Sequence, residues 1–279
     1  MSSTKVTVNT IFSMKKAGQK IAMVTAYDYT MSKIISGTDI DMILVGDSLG
    51  NVMLGYNSTL PVTMDNMVHH AAAVVRGNGN ALVVCDMPFM SYQACEKDAM
   101  INAGRLLKET GCDAVKIEGG AEYAPLIRKM VGAGIPVVGH IGLTPQSVNT
   151  LGGYSVQGKT PLAAQKLLDD ARALEDAGIF ALVLECVPEK LAEFITGKLN
   201  MAATIGIGAG AGCDGQVLVC SDLLGMTQGR VPKFVKKFAN IQEVAATAFS
   251  QYASEVKSVA FPSVEQSYAM DESILEQIQ

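Results

Sequence analysis

The sequence predicts an α/β protein folded as a single eight-stranded parallel barrel, and three observations carry that expectation. Eight short apolar runs, rich in Val, Ile and Leu, recur along 279 residues. The runs do not alternate with polar residues, which is how strands covered on both faces read. Segments with helix punctuation separate them, and strands alternating with helices imply parallel pairing through right-handed crossovers. At this length closure into a (β/α)8 TIM barrel is the natural solution, with an open doubly wound sheet as the alternative.

In chain order the runs are residues 21–27, 41–46, 81–85, 114–117, 136–139, 181–184, 203–207 and 216–220. Between the third and fourth, Ser91 can cap a helix running towards Gly111. Thr160 followed by Pro161 opens another helix, with Thr as N-cap and Pro in the first turn, and Gly178 ends it. Leu167, Ala171, Leu174 and Ala177 recur at helical spacing and give that helix its inward stripe. Asn240 with Glu243 three residues on marks the start of the last long helix. Ile241, Val244, Ala245, Ala248, Tyr252 and Val256 then share one of its faces. No domain linker, low-complexity segment or clear repeat interrupts the chain. Residues 1–279 are therefore expected to form one catalytic barrel domain with a short N-terminal extension and a C-terminal helical tail.

Composition narrows the function classes. The chain is 49% hydrophobic and 18% charged with a net charge of −5, which argues against a nucleic-acid partner. One basic cluster, Arg230, Lys233, Lys236 and Lys237, reads as a solvated helix face as readily as an anion site. No two of the six cysteines fall within four residues of each other, so no zinc-type pair exists. Cys85, Cys112, Cys186 and Cys220 sit in or beside apolar runs and read as buried free thiols in a reducing compartment. The start, MSSTKVTVNT, has neither an apolar signal core nor an Arg-rich transit character, so a cytoplasmic location is expected. Residues 130–158 lack Asp, Glu, Lys and Arg, but Pro136, Pro145 and many glycines rule out a membrane helix there.

The polar residues fall at the ends of the runs. The second runs out into Asp47 and Ser48, the third ends at Asp86, and the fourth holds Lys116 and Glu118. The fifth ends at His140, the sixth at Glu185, and the seventh enters a glycine loop at 206–212. In a parallel barrel these ends meet at one face, where the active sites of such barrels are built. A single acid after a strand reads most simply as a helix cap. A ring of them is harder to dismiss, because carboxylates gathered in a concave site repel one another unless a cation or proton compensates. Asp47, Asp86 and Glu118 offer only hard oxygen ligands, which suit Mg²⁺, with Mn²⁺ able to replace it. Zinc is disfavoured by the presence of only three histidines, of which His69 and His70 read as ordinary helix residues.

Two phosphate-binding patterns do not survive their context. Residues 153–160 fit the P-loop in letters, but residues 149–152 precede them where a buried strand is required. Residues 206–211 fit the relaxed dinucleotide fingerprint, but the next apolar run reads as a strand where a helix is required. That loop is better read as backbone that must approach a ligand or another strand.

Several ordered blocks are more specific. They include residues 25–29 (TAYDY), 45–50 (VGDSLG), 58–63 (STLPVT), 86–90 (DMPFM), 115–120 (VKIEGG) and 139–147 (GHIGLTPQS). Further blocks are 152–154 (GGY), 184–188 (LECVP), 205–210 (IGIGAG), 214–219 (DGQVLV) and 232–234 (PKF). From about residue 9 to about residue 268 the chain resembles the ketopantoate hydroxymethyltransferase family. The resemblance implies a barrel of the phosphoenolpyruvate/pyruvate type, often assembled as a homodecamer. It implies hydroxymethyl transfer from 5,10-methylenetetrahydrofolate to 3-methyl-2-oxobutanoate, giving 2-dehydropantoate in pantothenate biosynthesis. Carried over residue by residue, it makes Asp47, Asp86 and Glu118 the ligands of one Mg²⁺ per subunit. It makes Asp47, Ser48, Asp86 and Lys116 the substrate contacts and Glu185 the base. Two places depart from the family pattern: Gln266 and Tyr268 stand where His and Phe are usual, and residues 201–204 lack a usual proline.

The residue types suit that chemistry. A keto acid can chelate Mg²⁺, which stabilises the enolate formed when the β-carbon loses its proton to a positioned carboxylate. Glu185, near the metal acids but not needed as a ligand, is free to move that proton, with His140 the next candidate. Lys116 can offset the substrate's negative charge. A lyase of the isocitrate lyase type is the enzymatic rival, but residues 137–140 lack its nucleophile-like Cys. A non-catalytic ligand-binding or assembly barrel is the third reading. The expected partners are a small keto acid and a folate, with no nucleic acid and no membrane.

Overall fold

Eight parallel strands close on themselves in chain order. The computed structural model describes residues 4–229 and 231–278. The strands are β1 (Ile21–Thr25), β2 (Met42–Val45), β3 (Leu82–Asp86), β4 (Ala114–Glu118), β5 (Val137–Gly142), β6 (Ala181–Glu185), β7 (Ala203–Ile207) and β8 (Gly215–Leu218). Each pairs in parallel with its neighbours, and β8 returns to β1 with Ile21 opposite Gly215. The expected runs and the observed strands agree, with differences at the ends of a few residues.

Helices cover the outside. The helix Pro161–Ala177 is capped by Thr160, whose hydroxyl accepts from the Ala163 amide, and stops at Gly178 in the left-handed region. Leu167, Ala171, Leu174 and Ala177 are buried, as the sequence predicts. The expected cap at Ser91 is not realised. The helix Glu96–Thr110 starts later, at Cys95, whose sulfur accepts from the Asp98 amide. Residues 91–95 instead cross the helix start, held by Asn102 Nδ2 donating to the Ser91 carbonyl at 2.7 Å.

Inside the barrel, side-chain alternation stacks the strands into layers. Ile21, Met23, Met42, Leu44, Leu82, Val84, Ala114, Val138, Ala181, Val183, Ala203, Ile205 and Val217 form one packed cluster with Phe180. The helix Val8–Ala17 closes the lower end, inserting the fully buried Ile11 into that cluster. Lys15 Nζ ties this helix to Asp214 below β8 at 2.8 Å. Nearly all the other buried apolar side chains form a second cluster between the strands and the surrounding helices.

The structure departs from three further expectations. Residues 231–240 are not helical, so Lys233, Lys236 and Lys237 do not share a helix face, and Arg230 lies outside the described residues. Cys186 is half-buried with a positive φ of 48°, unlike the buried Cys85, Cys112 and Cys220. The glycine loop after β7 approaches side chains rather than a strand. A Cβ at Gly210 would sit 2.3 Å from Glu189 Cγ, and one at Gly208 (φ 65°) would sit 2.7 Å from the Phe234 ring. The helix Ile241–Lys257 follows the barrel and buries none of its residues.

Candidate active site

The inward rows of the strands change character on climbing the barrel. Leu82 and Val84 lead to Asp86, Ala114 to Lys116 and Glu118, Val138 to His140, and Ala181 and Val183 to Glu185. Strand register then brings these groups together: Asp86 lies opposite Lys116, and Glu118 opposite His140. Asp47 and Ser48 enter from the turn after β2. Gly46 makes that turn possible, since a Cβ there would meet Ser48 Oγ at 2.8 Å and Asp86 Oδ2 at 3.4 Å. All the residues singled out in the sequence line one cavity of about 670 Å³ at the C-terminal mouth.

The acids are held rather than loose. The Asp47 amide donates to Asp86 Oδ2 at 3.0 Å. Lys116 Nζ lies 3.3 Å from Asp86 Oδ1 and 3.7 Å from Glu118 Oε1. Asp86 Oδ1 is buried without a hydrogen-bond partner. His140 Nδ1 lies 3.0 Å from Lys116 Nζ, and its Nε2 lies 3.3 Å from Glu185 Oε2. Ser48 Oγ is 2.8 Å from the Tyr27 hydroxyl. Asp47, Asp86, Lys116, Glu118 and His140 are at most 4% exposed, whereas the Glu185 side chain is 16% exposed and faces the opening.

Burial and mutual charge set the ionisation of this ring. Burial, then the neighbouring Asp86 and Glu118 charges, holds Asp47 well above the usual carboxylate range, against the pull of Lys116. Burial also raises Asp86, although Lys116 and the Asp47 amide oppose it. Burial would raise Glu118 too, but its contacts with His140 and Lys116 outweigh that and lower it. Burial opposes charge on Lys116, yet Asp86, Glu118 and Asp47 together raise its pKa, so the ammonium persists. For His140, burial and Lys116 push downwards, and hydrogen bonds to Glu118 and Glu185 bring it up to about 8. The 3.0 Å contact with the Lys116 ammonium is a hydrogen bond only while Nδ1 is unprotonated.

Among the described residues, no three Asp, Glu, His or Cys side chains form a ready-made metal cage. Lys116 lies beside Asp86 and Glu118, and one oxygen of Asp47 is taken by Gln146 Nε2 at 2.8 Å. The residues nonetheless fit a hard divalent cation on two observations. The donors are all carboxylate oxygens, and one of them, Asp86 Oδ1, is buried without a hydrogen bond, its charge met only by the Lys116 ammonium at 3.3 Å.

Sequence reasoning did not single out Gln146, Tyr92 or Tyr27. Neutral amides and hydroxyls in loops carry no charge pattern, and only the fold reveals that they touch the acids. Tyr154, from the P-loop-like segment, also lines the cavity. Its neighbour Lys159 is exposed, and no strand leads into the segment, since β5 has already ended at Gly142.

A family model described as ketopantoate hydroxymethyltransferase matches residues 5–264. This chain belongs to that family. A 3-methyl-2-oxobutanoate hydroxymethyltransferase from Carboxydothermus hydrogenoformans is 58% identical to it over 98% of this chain and 99% of that one. One of the same name from Clostridium novyi is 56% identical over the same shares. The chain is accordingly a transferase. The fold also matches solved structures at low identity. A phosphonopyruvate hydrolase complexed with oxalate and Mg²⁺ superposes with a TM-score of 0.61 at 9% identity, covering 97% of this chain and 94% of that one. A phosphoenolpyruvate phosphomutase from Streptomyces platensis subsp. rosaceus gives 0.60 at 14%, with the same coverage. Among the described residues no helix is long and apolar enough to cross a membrane.

Proposed function

We propose that this enzyme transfers a hydroxymethyl group from 5,10-methylenetetrahydrofolate to 3-methyl-2-oxobutanoate, giving 2-dehydropantoate, with Mg²⁺ bound by Asp47, Asp86 and Glu118. The observation that carries the reading is one barrel mouth holding three buried carboxylates, a charged lysine and, across His140, a more exposed fourth carboxylate. The relatives' names support the acceptor and the group transferred. The phosphonopyruvate hydrolase of similar fold, solved with oxalate and Mg²⁺, supports a metal and a small dicarboxylate in this type of barrel.

A bound Mg²⁺ would supply Lewis-acid stabilisation of the enolate form of the keto acid. Lys116 supplies a fixed positive charge beside the substrate carboxylate. Ser48, with its hydroxyl tied to Tyr27, and the oxygens of Asp47 and Asp86 orient the keto acid. Glu185 takes the proton from C3 of the substrate. C3, left with the electron pair, forms a carbon–carbon bond to the one-carbon unit of the folate, and water supplies the hydroxyl oxygen while tetrahydrofolate leaves. His140 Nε2, 3.3 Å from Glu185 Oε2, holds the Glu185 carboxylate beside the substrate. The cavity's outer wall, with Val52, Tyr154, Val156 and Phe234, gives the flat folate ring an apolar surface. The reading includes one catalytic domain working in the cytoplasm as a homodecamer. Its support for assembly is the uncovered apolar side chains of Val244, Phe249 and Tyr252 on the last long helix.

The test is exchange of the C3 hydrogen of 3-methyl-2-oxobutanoate with solvent deuterium. Wild-type protein with Mg²⁺ is expected to exchange it, and Glu185→Gln to slow exchange by roughly 10²–10⁴-fold with keto-acid binding nearly unchanged. Exchange by the Gln variant at the wild-type rate would remove Glu185 as the base and make His140 the candidate.

A further inference from the structure

Gln146 follows Pro145 in the loop leaving β5, and its side chain is 5% exposed. Each of its polar side-chain atoms is committed twice. Nε2 donates to Asp47 Oδ2 at 2.8 Å and to the Met87 carbonyl at 3.0 Å. Oε1 lies 3.0 Å from the Tyr92 hydroxyl and accepts from Gln93 Nε2 at 3.1 Å. Its backbone amide donates to Glu118 Oε2 at 2.9 Å. The orientation of the amide is therefore fixed. A flip would set its oxygen against a carboxylate and a carbonyl, leaving two buried acceptor pairs without a proton between them.

Tyr92 completes the clamp from the loop after β3. Its hydroxyl accepts from the Glu118 amide at 3.2 Å, and its single proton has two acceptors at 3.0 Å, Gln146 Oε1 and the Glu118 carbonyl. The displaced start of the helix Glu96–Thr110 is what lets residues 91–95 reach this position. Two of the three acids, from β4 and from the turn after β2, are thus pinned by one residue through one oxygen each. The other oxygen of Asp47 is left for the cavity, and the other oxygen of Glu118 lies 3.4 Å from His140 Nδ1 and 3.7 Å from Lys116 Nζ.

We infer that Gln146, braced by Tyr92, is a positioning residue that presents one oxygen each of Asp47 and Glu118 to a divalent cation. This rests on the metal reading above. Groups that orient ligating carboxylates typically account for about 10–100-fold in metal affinity. Fixing the carboxylates in advance is worth most where they repel each other, because free side chains would otherwise turn apart.

The experiment is a titration of the metal-free full-length protein with Mn²⁺, read by the loss of the free-ion electron paramagnetic resonance signal. Gln146→Leu is expected to weaken Mn²⁺ binding about 10–100-fold, and Gln146→Glu to weaken it further by opposing Asp47 with a second acid. Saturating metal should restore much of the exchange rate to Gln146→Leu, so the loss lies in metal affinity rather than kcat. Tyr92→Phe, which keeps the ring and loses the brace, should show a smaller loss in the same direction. A Gln146→Leu protein that melts like wild type and binds Mn²⁺ within about twofold of it, against the tenfold expected at least, overturns the inference. If that variant does not fold, Tyr92→Phe decides: a measurable loss of affinity supports the clamp, and unchanged affinity overturns it. Wild-type protein that takes up no Mn²⁺ removes the metal reading and this inference together, whereas equal binding by wild type and variants removes this inference alone.

Discussion

The lower and upper halves of the barrel interior are built from the same eight strands and follow opposite rules. Below, Ile21, Met42, Leu82, Phe180 and Ala203 pack without a polar atom from their side chains, and Ile11 seals the end. Above, Asp47, Asp86, Lys116, Glu118 and His140 are buried as deeply but carry charge or hydrogen-bonding capacity. Burying apolar area stabilises a fold by about 25 cal/mol per Å². Burying carboxylates works against it, as the raised pKa values of Asp47 and Asp86 record. One end of the barrel therefore supplies stability, and the other spends part of it on a ring of groups positioned for chemistry.

If that division is real, substitutions at the two ends should separate activity from stability. The largest effect is expected at Asp86. Asp86→Ala removes the carboxylate whose Oδ1 makes no hydrogen bond and leaves Lys116 to its remaining acids. Exchange and transfer should fall by roughly 10³-fold or more, since Lewis-acid stabilisation is worth several kcal/mol. Its melting temperature should stay close to wild type or rise, because a buried carboxylate has gone. A chelator should cut wild-type exchange in the same way and leave Asp86→Ala unmoved. A large drop in melting temperature with activity retained would erase the contrast between the ends.

The lower half should respond in the opposite sense. Phe180 is 2% exposed at the foot of β6, inside the barrel cluster that Ile11 closes. Phe180→Ala leaves a cavity that the surrounding strands cannot readily fill, and should cost about 3–5 kcal/mol of stability. In urea the midpoint should fall while Mn²⁺ affinity and exchange at low temperature hold. Loss of metal binding in a folded Phe180→Ala protein would mean that the upper ring depends on the packing below it, and the halves would be one unit.

The two halves also differed in how much of them the sequence disclosed. Strands buried on both faces leave uninterrupted Val, Ile and Leu runs, so all eight could be placed from 21 to 220. A charged residue at the end of such a run is conspicuous, and Asp86, Glu118 and Glu185 stood out for that reason. What ties those charges down was not visible. Gln146 and Tyr92 are neutral, lie in loops, and acquire their partners only when β3, β4 and β5 become neighbours. The sequence hides the cap at Cys95 because a serine four residues earlier has the better hydroxyl, and the demand for Tyr92 in the site overrides local preference. The sealing role of the helix Val8–Ala17 was likewise hidden, since its half-exposed sequence reads only as an extension before the barrel.

The smallest expected effect tests the edge of the comparison, where a residue belongs to neither half. Lys159 stands in a segment that matches a P-loop in letters, and a phosphate-binding lysine there would add a second site to the mouth. The structure gives it none of the required surroundings. The segment follows the short helix Val148–Leu151 and a glycine turn rather than a strand. Thr160, which a P-loop would turn towards a metal, uses its hydroxyl to cap the helix Pro161–Ala177 through the Ala163 amide at 3.2 Å. Lys159 itself is exposed. Its replacement by alanine should therefore change stability by less than about 0.5 kcal/mol, as surface substitutions away from special features do. Exchange and transfer should remain at the wild-type level, and isothermal titration with ATP should give no heat of binding for either protein. ATP binding to wild type that disappears in Lys159→Ala would show that the mouth holds a phosphate site, and would force the loop 153–160 into the working half of the barrel.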